Sequence, residues 1–312
     1  MAIFTTSDGA RLFYRYYIPS SSPHRPATII DRQPLTLVFL HGWPMSSRMF
    51  DQLIVPLVET HRFPVIAPDR RGFGNSDWTT PETGEVTFAT FTQDAVALLE
   101  HVMRKNPGPF VFVAASMGTA ESVLVHAASE FLREHCRGFV WLGPNMPYPV
   151  RCEECPDALG PERWEGIIQS FRGAGGKEFI LQQVPGIFRL DLGNQVGQTT
   201  LKFIEGLVCQ ADPIALERTA VILQKPMAAE LRQMAKAALA DEKNQVPILI
   251  LHGESDAGMP PKTSAALVHQ LVPWSQLKVY EKAGHGLYLT HTQQVLDDML
   301  AFMEPIAAKE RQ

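Results

Sequence analysis

Phe110-Val111-Phe112-Val113-Ala114-Ala115-Ser116-Met117-Gly118-Thr119 runs from an unbroken apolar stretch, through small residues, into a segment that reads as a helix over about 119–133. So short and continuous an apolar run predicts a strand buried on both faces. A strand that turns sharply into a helix pushes one side chain out of the backbone at the end of a sheet. Here that side chain is the hydroxyl of Ser116. Small residues fit on either side because the turn brings two backbones together. Small-x-Ser-x-Gly also arises by chance in many chains, so the serine takes its meaning from what surrounds it.

Outward from this unit the chain alternates strand and helix. Residues 12–17 read as a strand, 35–40 as a buried strand, 47–60 as a helix and 64–68 as a strand. A helix over 88–103 precedes the quoted stretch, and a strand over 138–142 follows its helix. The Pro/Ser-rich segment 19–34 reads as a long exposed connection with a flexible tip. From 143 to 244 the text is helical, broken by glycines and prolines, with no strong strand. Strand grammar returns at 246–252 and 277–280, with helices near 262–271 and from about 290. This predicts an α/β fold, a mostly parallel sheet flanked by helices. Residues 1–142 and 246–312 form its core, and 143–245 is a helical insertion capping the C-terminal ends of the strands, where ligands bind in such sheets.

Bulk properties narrow the function. A chain of 312 residues suffices for one large α/β domain with an insertion. Hydrophobic content of 45% with 20% charged residues is that of an ordinary globular protein. A net charge of −5 offers no footprint for nucleic acid or an anionic membrane, so neither is expected as a partner. No apolar stretch approaches the roughly 18 residues of a membrane span. The first residues lack a basic region followed by an apolar core, so the expected location is cytoplasmic. Four cysteines in so long a chain do not make a disulfide framework. Oligomeric state is not legible.

Three further segments carry chemistry. His41-Gly42-Trp43-Pro44 follows a buried strand, and a turn there can aim the Trp43 backbone N–H into the same crevice as that of Met117. Two such donors would stabilise the oxyanion of a tetrahedral intermediate. Leu251-His252-Gly253-Glu254-Ser255-Asp256 lies at another strand end, where Asp256 can orient an imidazole and stabilise its cation. Glu254 is the rival carboxylate, closer to the strand and read as solvated or supporting. Ala283-Gly284-His285-Gly286 puts a histidine on a mobile turn that could bring its ring to Ser116. The order Ser116…Asp256…His285 points to nucleophilic catalysis.

These segments resemble the α/β-hydrolase fold, and within it the non-haem haloperoxidase/esterase group. The resemblance rests on His41–Pro44, the turn Asp69-Arg70-Arg71-Gly72-Phe73-Gly74-Asn75-Ser76-Asp77, Ser116-Met117-Gly118, His252–Asp256 and Gly284-His285-Gly286-Leu287 with Thr290-His291. It implies Ser116 as nucleophile, His285 as base, Asp256 as orienting acid, and Trp43 and Met117 as backbone oxyanion donors. It implies no metal, haem or other cofactor, and hydrolysis of a small ester or lactone through an acyl-enzyme. Some members instead form a peracid from a carboxylic acid and peroxide. The group's elbow reads Gly-His-Ser-Met-Gly-Gly, whereas here Ala114, Ala115 and Thr119 replace two glycines and a histidine. Ala115 removes a ring beside the nucleophile, and Thr119 crowds the start of the helix. Dehalogenases and epoxide hydrolases of this fold use an aspartate at the elbow, so Ser116 argues against both.

The insertion carries no placeable motif. Trp164, Ile167, Ile168 and Phe171 fall at helical spacing, as do Phe179, Leu181 and Val184 less regularly. Such a stripe ordinarily packs on the core. The sharper reading has Trp164 and Phe171, with Pro44, Ala115 and Leu287, lining a substrate pocket. Cys152-Glu153-Glu154-Cys155 lacks the further ligands of a zinc site and reads as a pair of loop thiols. His252 and His291 read as structural neighbours of the site. Acyl transfer to another acceptor, lyase chemistry, or a non-catalytic small-molecule receptor are the alternatives to hydrolysis.

Overall fold

The computed structural model describes residues 2–19, 34–78, 85–172 and 176–311. Among these residues eight strands form one sheet: β1 (Ala2–Thr5), β2 (Arg11–Tyr17), β3 (Thr36–Leu40), β4 (Val65–Pro68), β5 (Phe110–Ala115), β6 (Cys136–Leu142), β7 (Ile248–Gly253) and β8 (Gln276–Tyr280). Their order across the sheet is β1-β2-β4-β3-β5-β6-β7-β8. β2 runs antiparallel to β1 and to β4, and every other pairing is parallel.

The central strands are apolar throughout because both faces are covered, and alternate residues serve opposite cores. Leu37, Phe39, Val111, Val113, Val140, Leu142, Leu249 and Leu251 point one way. They meet Leu53 and Leu57 of α1 (Asp51–Glu59) and Val295, Met299 and Phe302 of α12 (Thr292–Lys309). Val38, Leu40, Phe110, Phe112, Phe139, Trp141 and Ile250 point the other way. They meet α2 (Phe88–Met103), α3 (Met117–Ala128) and α10 (Ala265–Leu271). α2 starts where its sequence asks, in a capping box: the Thr87 hydroxyl accepts the Ala89 N–H at 3.2 Å, and the Thr90 hydroxyl accepts the Thr87 N–H at 3.1 Å.

Among the described residues between β6 and β7 lie five α-helices: α5 (Pro161–Arg172), α6 (Gly176–Phe188), α7 (Gln198–Gln210), α8 (Pro213–Ile222) and α9 (Ala228–Ala240). They share clusters with the sheet rather than standing apart, through Val184, Phe188, Ile204 and Leu207 on one side and Trp164, Met227 and Leu231 on the other. Among the described residues no helix is long and apolar enough to cross a membrane.

Several local expectations are corrected. The helix after Ser116 starts at Met117 rather than Thr119 and breaks at Ser129, whose hydroxyl caps a separate helix, α4 (Glu130–His135). The helix expected over 262–271 is a 3₁₀ turn, Pro261–Thr263, followed by α10. Before the final helix stands a single turn, α11 (Leu287–Thr290). β1 was not anticipated. In α6 the buried stripe is Ile180, Val184 and Phe188, not Phe179 and Leu181, which are only partly buried. The connection expected over 19–34 lies largely outside the described residues.

β4 is reached to one side of β3, and β5 to the other. The crevice at the carboxyl ends of β3 and β5 is therefore a topological switch point, where open α/β sheets bind ligands. Into it the chain delivers the turn after β3 and Ser116 after β5. Their spacing depends on Gly118, where an added methyl would overlap the Leu40 carbonyl oxygen at the end of β3. Gly118→Ala is therefore expected to lower stability by about 1–3 kcal/mol, read as a depressed melting temperature. An unchanged melting temperature would contradict this close approach.

Candidate active site

Ser116 joins β5 to α3 with φ 51° and ψ −120°, a conformation that costs a non-glycine residue roughly 1–3 kcal/mol. Three hydrogen bonds hold it there. Its N–H donates to the Leu142 carbonyl at 2.9 Å. Its own carbonyl accepts from the Thr119 N–H at 3.0 Å and the Thr119 hydroxyl at 2.6 Å. The threonine that the sequence suggested would crowd the helix thus also secures the elbow. Ser116 itself remains half-buried, open to the crevice.

Asp256 follows β7 and is buried in a loop that wraps its carboxylate. Oδ1 accepts the backbone N–H groups of Gly258 at 3.0 Å and Met259 at 2.8 Å. Oδ2 lies 2.6 Å from Nδ1 of His285 and 3.4 Å from Nε2 of His252. Burial alone would raise the Asp256 pKa, but the His285 charge and hydrogen bonds from His252 and His285 hold it well below the usual carboxylate range. For His285 the balance is mirrored. Burial pulls its pKa down, and the charge and hydrogen bond of Asp256 outweigh it, leaving the imidazole more basic than usual. A carboxylate on Nδ1 requires the proton there, so Nε2 of the neutral ring is an acceptor. The His285 side chain is 24% exposed and that of Asp256 is not exposed at all. Only the imidazole can meet a ligand.

The His loop is tied to its surroundings by backbone. Gly286 N–H donates to Ile187 O at 3.0 Å, joining it to α6, and Ser255 N–H donates to Ala283 O at 2.9 Å. An added methyl at Gly253 would overlap the Ala283 and Gly284 carbonyls, so the Asp256 and His285 loops approach as closely as glycine allows. Ser116 and His285 flank the same strand end. Ser116 bonds to Leu142, and a methyl at Gly143 would sit 3.3 Å from His285 Nδ1. Glu254 turns elsewhere, accepting the Lys282 N–H at 3.2 Å.

The turn after β3 lies against the elbow, where a methyl at Gly42 would come within 3.2 Å of Ser116 Cβ. Gly42 N–H donates to Met49 Sδ at 3.2 Å, and its carbonyl accepts from Met45 N–H at 3.1 Å. No hydrogen-bond acceptor engages the Trp43 or Met117 amide among the described residues. The Met117 amide also opens α3, where the helix dipole favours negative charge.

Sequence reasoning missed the buried charges beneath this turn. Arg70 and Glu121 form a buried ion pair, linking the 69–77 turn to α3. Arg70 Nη2 also donates to the His41 carbonyl at 2.8 Å, and its backbone N–H donates to His41 Nε2 at 2.9 Å. Burial and the Arg70 charge push the His41 pKa well below its ordinary value, so that ring is neutral, with Nδ1–H donating to Gly42 O at 3.0 Å. Arg70 stood in a quoted motif and Glu121 in the helix after Ser116, but nothing local in the sequence pairs them. The turn's other acid, Asp69, is likewise structural, accepting the Ser47 and Asn75 N–H groups at 2.8 and 3.0 Å.

The five pocket residues divide. Phe171 of α5 is half-buried and meets the Trp43 ring edge-on, with centroids 5.6 Å apart at 80°. This contact brings the insertion to the turn after β3. Ala115, Pro44 and Leu287 are buried. Trp164 is buried too, its indole N–H donating to Pro149 O at 2.9 Å, so its polar edge is committed to the scaffold. Among the described residues no group of three His, Cys, Asp or Glu is placed to hold a metal ion.

Comparison with known proteins bears on this arrangement. The profile of the alpha/beta hydrolase fold matches residues 36–292. Over 97% of its length the chain is 28% identical to the whole of a non-heme chloroperoxidase from Streptomyces lividans. It is 26% identical, again over 97% of its length, to 99% of a bifunctional esterase/perhydrolase from Acinetobacter calcoaceticus. Among solved structures, a bromoperoxidase from Bacillus anthracis shares the fold with a TM-score of 0.79 at 24% identity. That match covers 97% of this chain and 99% of the other.

The environment of His285 makes a prediction independent of any activity. Followed by NMR, its ring should titrate above the ordinary imidazole value of about 6.5. In Asp256→Asn the midpoint should fall below that value, because burial then acts unopposed. A midpoint unmoved by the substitution would contradict the coupling.

Proposed function

The chain belongs to the α/β-hydrolase family, and from that premise we propose that it is a serine hydrolase cleaving a carboxylic ester or lactone of a small organic molecule. The observation that carries this reading is the juxtaposition at the end of β6. The strained hydroxyl of Ser116 stands on one side, and on the other an imidazole whose Nδ1–H is bound 2.6 Å from a buried carboxylate. An oriented, basic imidazole beside an otherwise weak nucleophile is what activates a serine.

In the first half-reaction His285 Nε2 takes the Ser116 proton as Oγ bonds to the substrate carbonyl carbon. The carbonyl oxygen becomes an oxyanion, for which the Trp43 and Met117 amides are the proposed donors. The intermediate collapses as the C–O bond to the leaving group breaks, and His285 returns its proton to the departing alkoxide. In a lactone that alcohol stays tethered to the acyl group. Water, deprotonated by His285, then attacks the acyl carbon, releasing the acid and regenerating Ser116. Throughout, Asp256 keeps the Nδ1–H tautomer in place and stabilises the imidazolium.

A second reading is favoured by a specific observation. The relatives named above include a chloroperoxidase and an esterase/perhydrolase of matching length. Hydrogen peroxide in place of water in the deacylation step would give a peracid from the same acyl-enzyme, with no change in residue roles.

Purified protein should hydrolyse a chromogenic short-chain ester such as p-nitrophenyl acetate, and Ser116→Ala should lose on the order of 10³-fold or more in kcat/KM. Because His285 must be neutral to act, kcat/KM should be lost as pH falls through its raised pKa, above about 6.5. Hydrolysis persisting in Ser116→Ala would sink the nucleophile assignment. Absence of both turnover and fluorophosphonate labelling in the wild type, with a ligand that raises its Tm, would instead support a receptor.

A further inference from the structure

The link from β6 to α5 carries a second nucleophilic pair, unrelated to Ser116. Cys152 and Cys155 face each other across an antiparallel bridge. Each donates its N–H to the other's carbonyl, at 3.3 and 3.1 Å. Residues that exchange both hydrogen bonds have Cα atoms about 5.5 Å apart. That is within the roughly 4.4–6.8 Å that a disulfide spans. Both thiols are free in the structure, Cys152 exposed and Cys155 buried.

The turn is held from several sides before any bond forms. Cys155 packs with Tyr148, Ala158 and Ala228. Arg232, on α9, pairs with Glu154 at 2.7 Å and donates to the Tyr148 hydroxyl at 2.9 Å. Arg151 N–H donates to Leu159 O at 2.8 Å, closing the base of the turn. Among the described residues no third His, Cys, Asp or Glu completes a metal set around the pair. A preorganised dithiol without further ligands has redox chemistry open to it.

We propose that Cys152 and Cys155 form a reversible dithiol–disulfide pair that reacts with low-molecular-weight disulfides. The exposed Cys152 thiolate attacks one sulfur of oxidised glutathione, forming a mixed disulfide and releasing one glutathione thiolate. Cys155 loses its proton and attacks the Cys152 sulfur, expelling the second glutathione. The protein gives up two protons and two electrons, and oxidised glutathione is reduced to two thiols. Cys155 is buried, and burial raises its thiol pKa, so the first attack falls to the exposed Cys152. Cys136 takes no part, since burial in β6 pushes its thiol up to about 12. Closing the bond ties off the link between the sheet and α5, the helix whose Phe171 rests on Trp43.

The test uses the full chain carrying Cys209→Ser, which leaves Cys152 as the one exposed thiol. After oxidised glutathione, intact mass and peptide mapping should show a product lighter by two hydrogens, with 152 linked to 155 and the bond reversed by dithiothreitol. Adding Cys155→Ser should halt the reaction at a glutathionyl adduct on Cys152. The proposal is overturned if the Cys209→Ser protein itself stops at that adduct with Cys155 still alkylatable, or does not react.

Discussion

Helix α3 crosses the end of β3 so closely that only a residue without a side chain fits at Gly118. The ladder between β3 and β5 already spaces the two strands, and this approach sets how close the elbow after β5 lies to the turn after β3. The elbow after β5 can expose Ser116 only because the helix turns back at once, and the helix can do so only by lying against Leu40. The turn after β3 then has one place to go, against Ser116, where a methyl added at Gly42 would press on the serine Cβ. A backbone contact between apolar elements thus sets the geometry of polar groups several residues away. The strain at Ser116 is held by its bonds to Leu142 and Thr119 and by the burial of β5 and α3 around it.

Charge reinforces what packing sets. The Arg70–Glu121 pair is buried and joins α3 to the turn beside it, while Arg70 also holds His41. Breaking such a pair typically costs about 3–5 kcal/mol, because one charge is left uncompensated. The arrangement stiffens the frame around the Trp43 and Met117 amides without placing a charge in the crevice. Asp256 follows the same logic on the other side. Its carboxylate is spent on two backbone amides and two imidazoles, of which only His285 is exposed to the crevice. In the proposed reaction the reactive surface is one hydroxyl, one imidazole nitrogen and two amides.

Much of the frame was legible because local sequence dictates it. Runs such as 110–115 are apolar at every position, which fits only a strand covered on both sides, and their spacing left room for crossover helices. The four-residue β1 was not legible, because so short an edge strand pairs only by virtue of β2. In α6 the stripe was misread for a related reason: which residues face inward follows from how the helix packs, not from composition. At the site, Ser116, Asp256 and His285 stood out because each occupies a turn after a strand or between glycines. The structure brings Asp256 and His285 into contact and pairs Glu254 with backbone instead. Arg70, Glu121 and His41 were hidden because their partnership joins residues up to 51 positions apart. No local pattern reports such a distance.

The central claim is that Ser116 carries the acyl group. Rapid quenching of the protein with an activated ester, followed by intact-mass measurement and peptide mapping, tests it directly. The account predicts a transient adduct of the acyl mass on Ser116, which accumulates further in Asp256→Asn if deacylation is slowed more than acylation. An adduct that maps to any other residue, or turnover with Ser116 never modified, would contradict it.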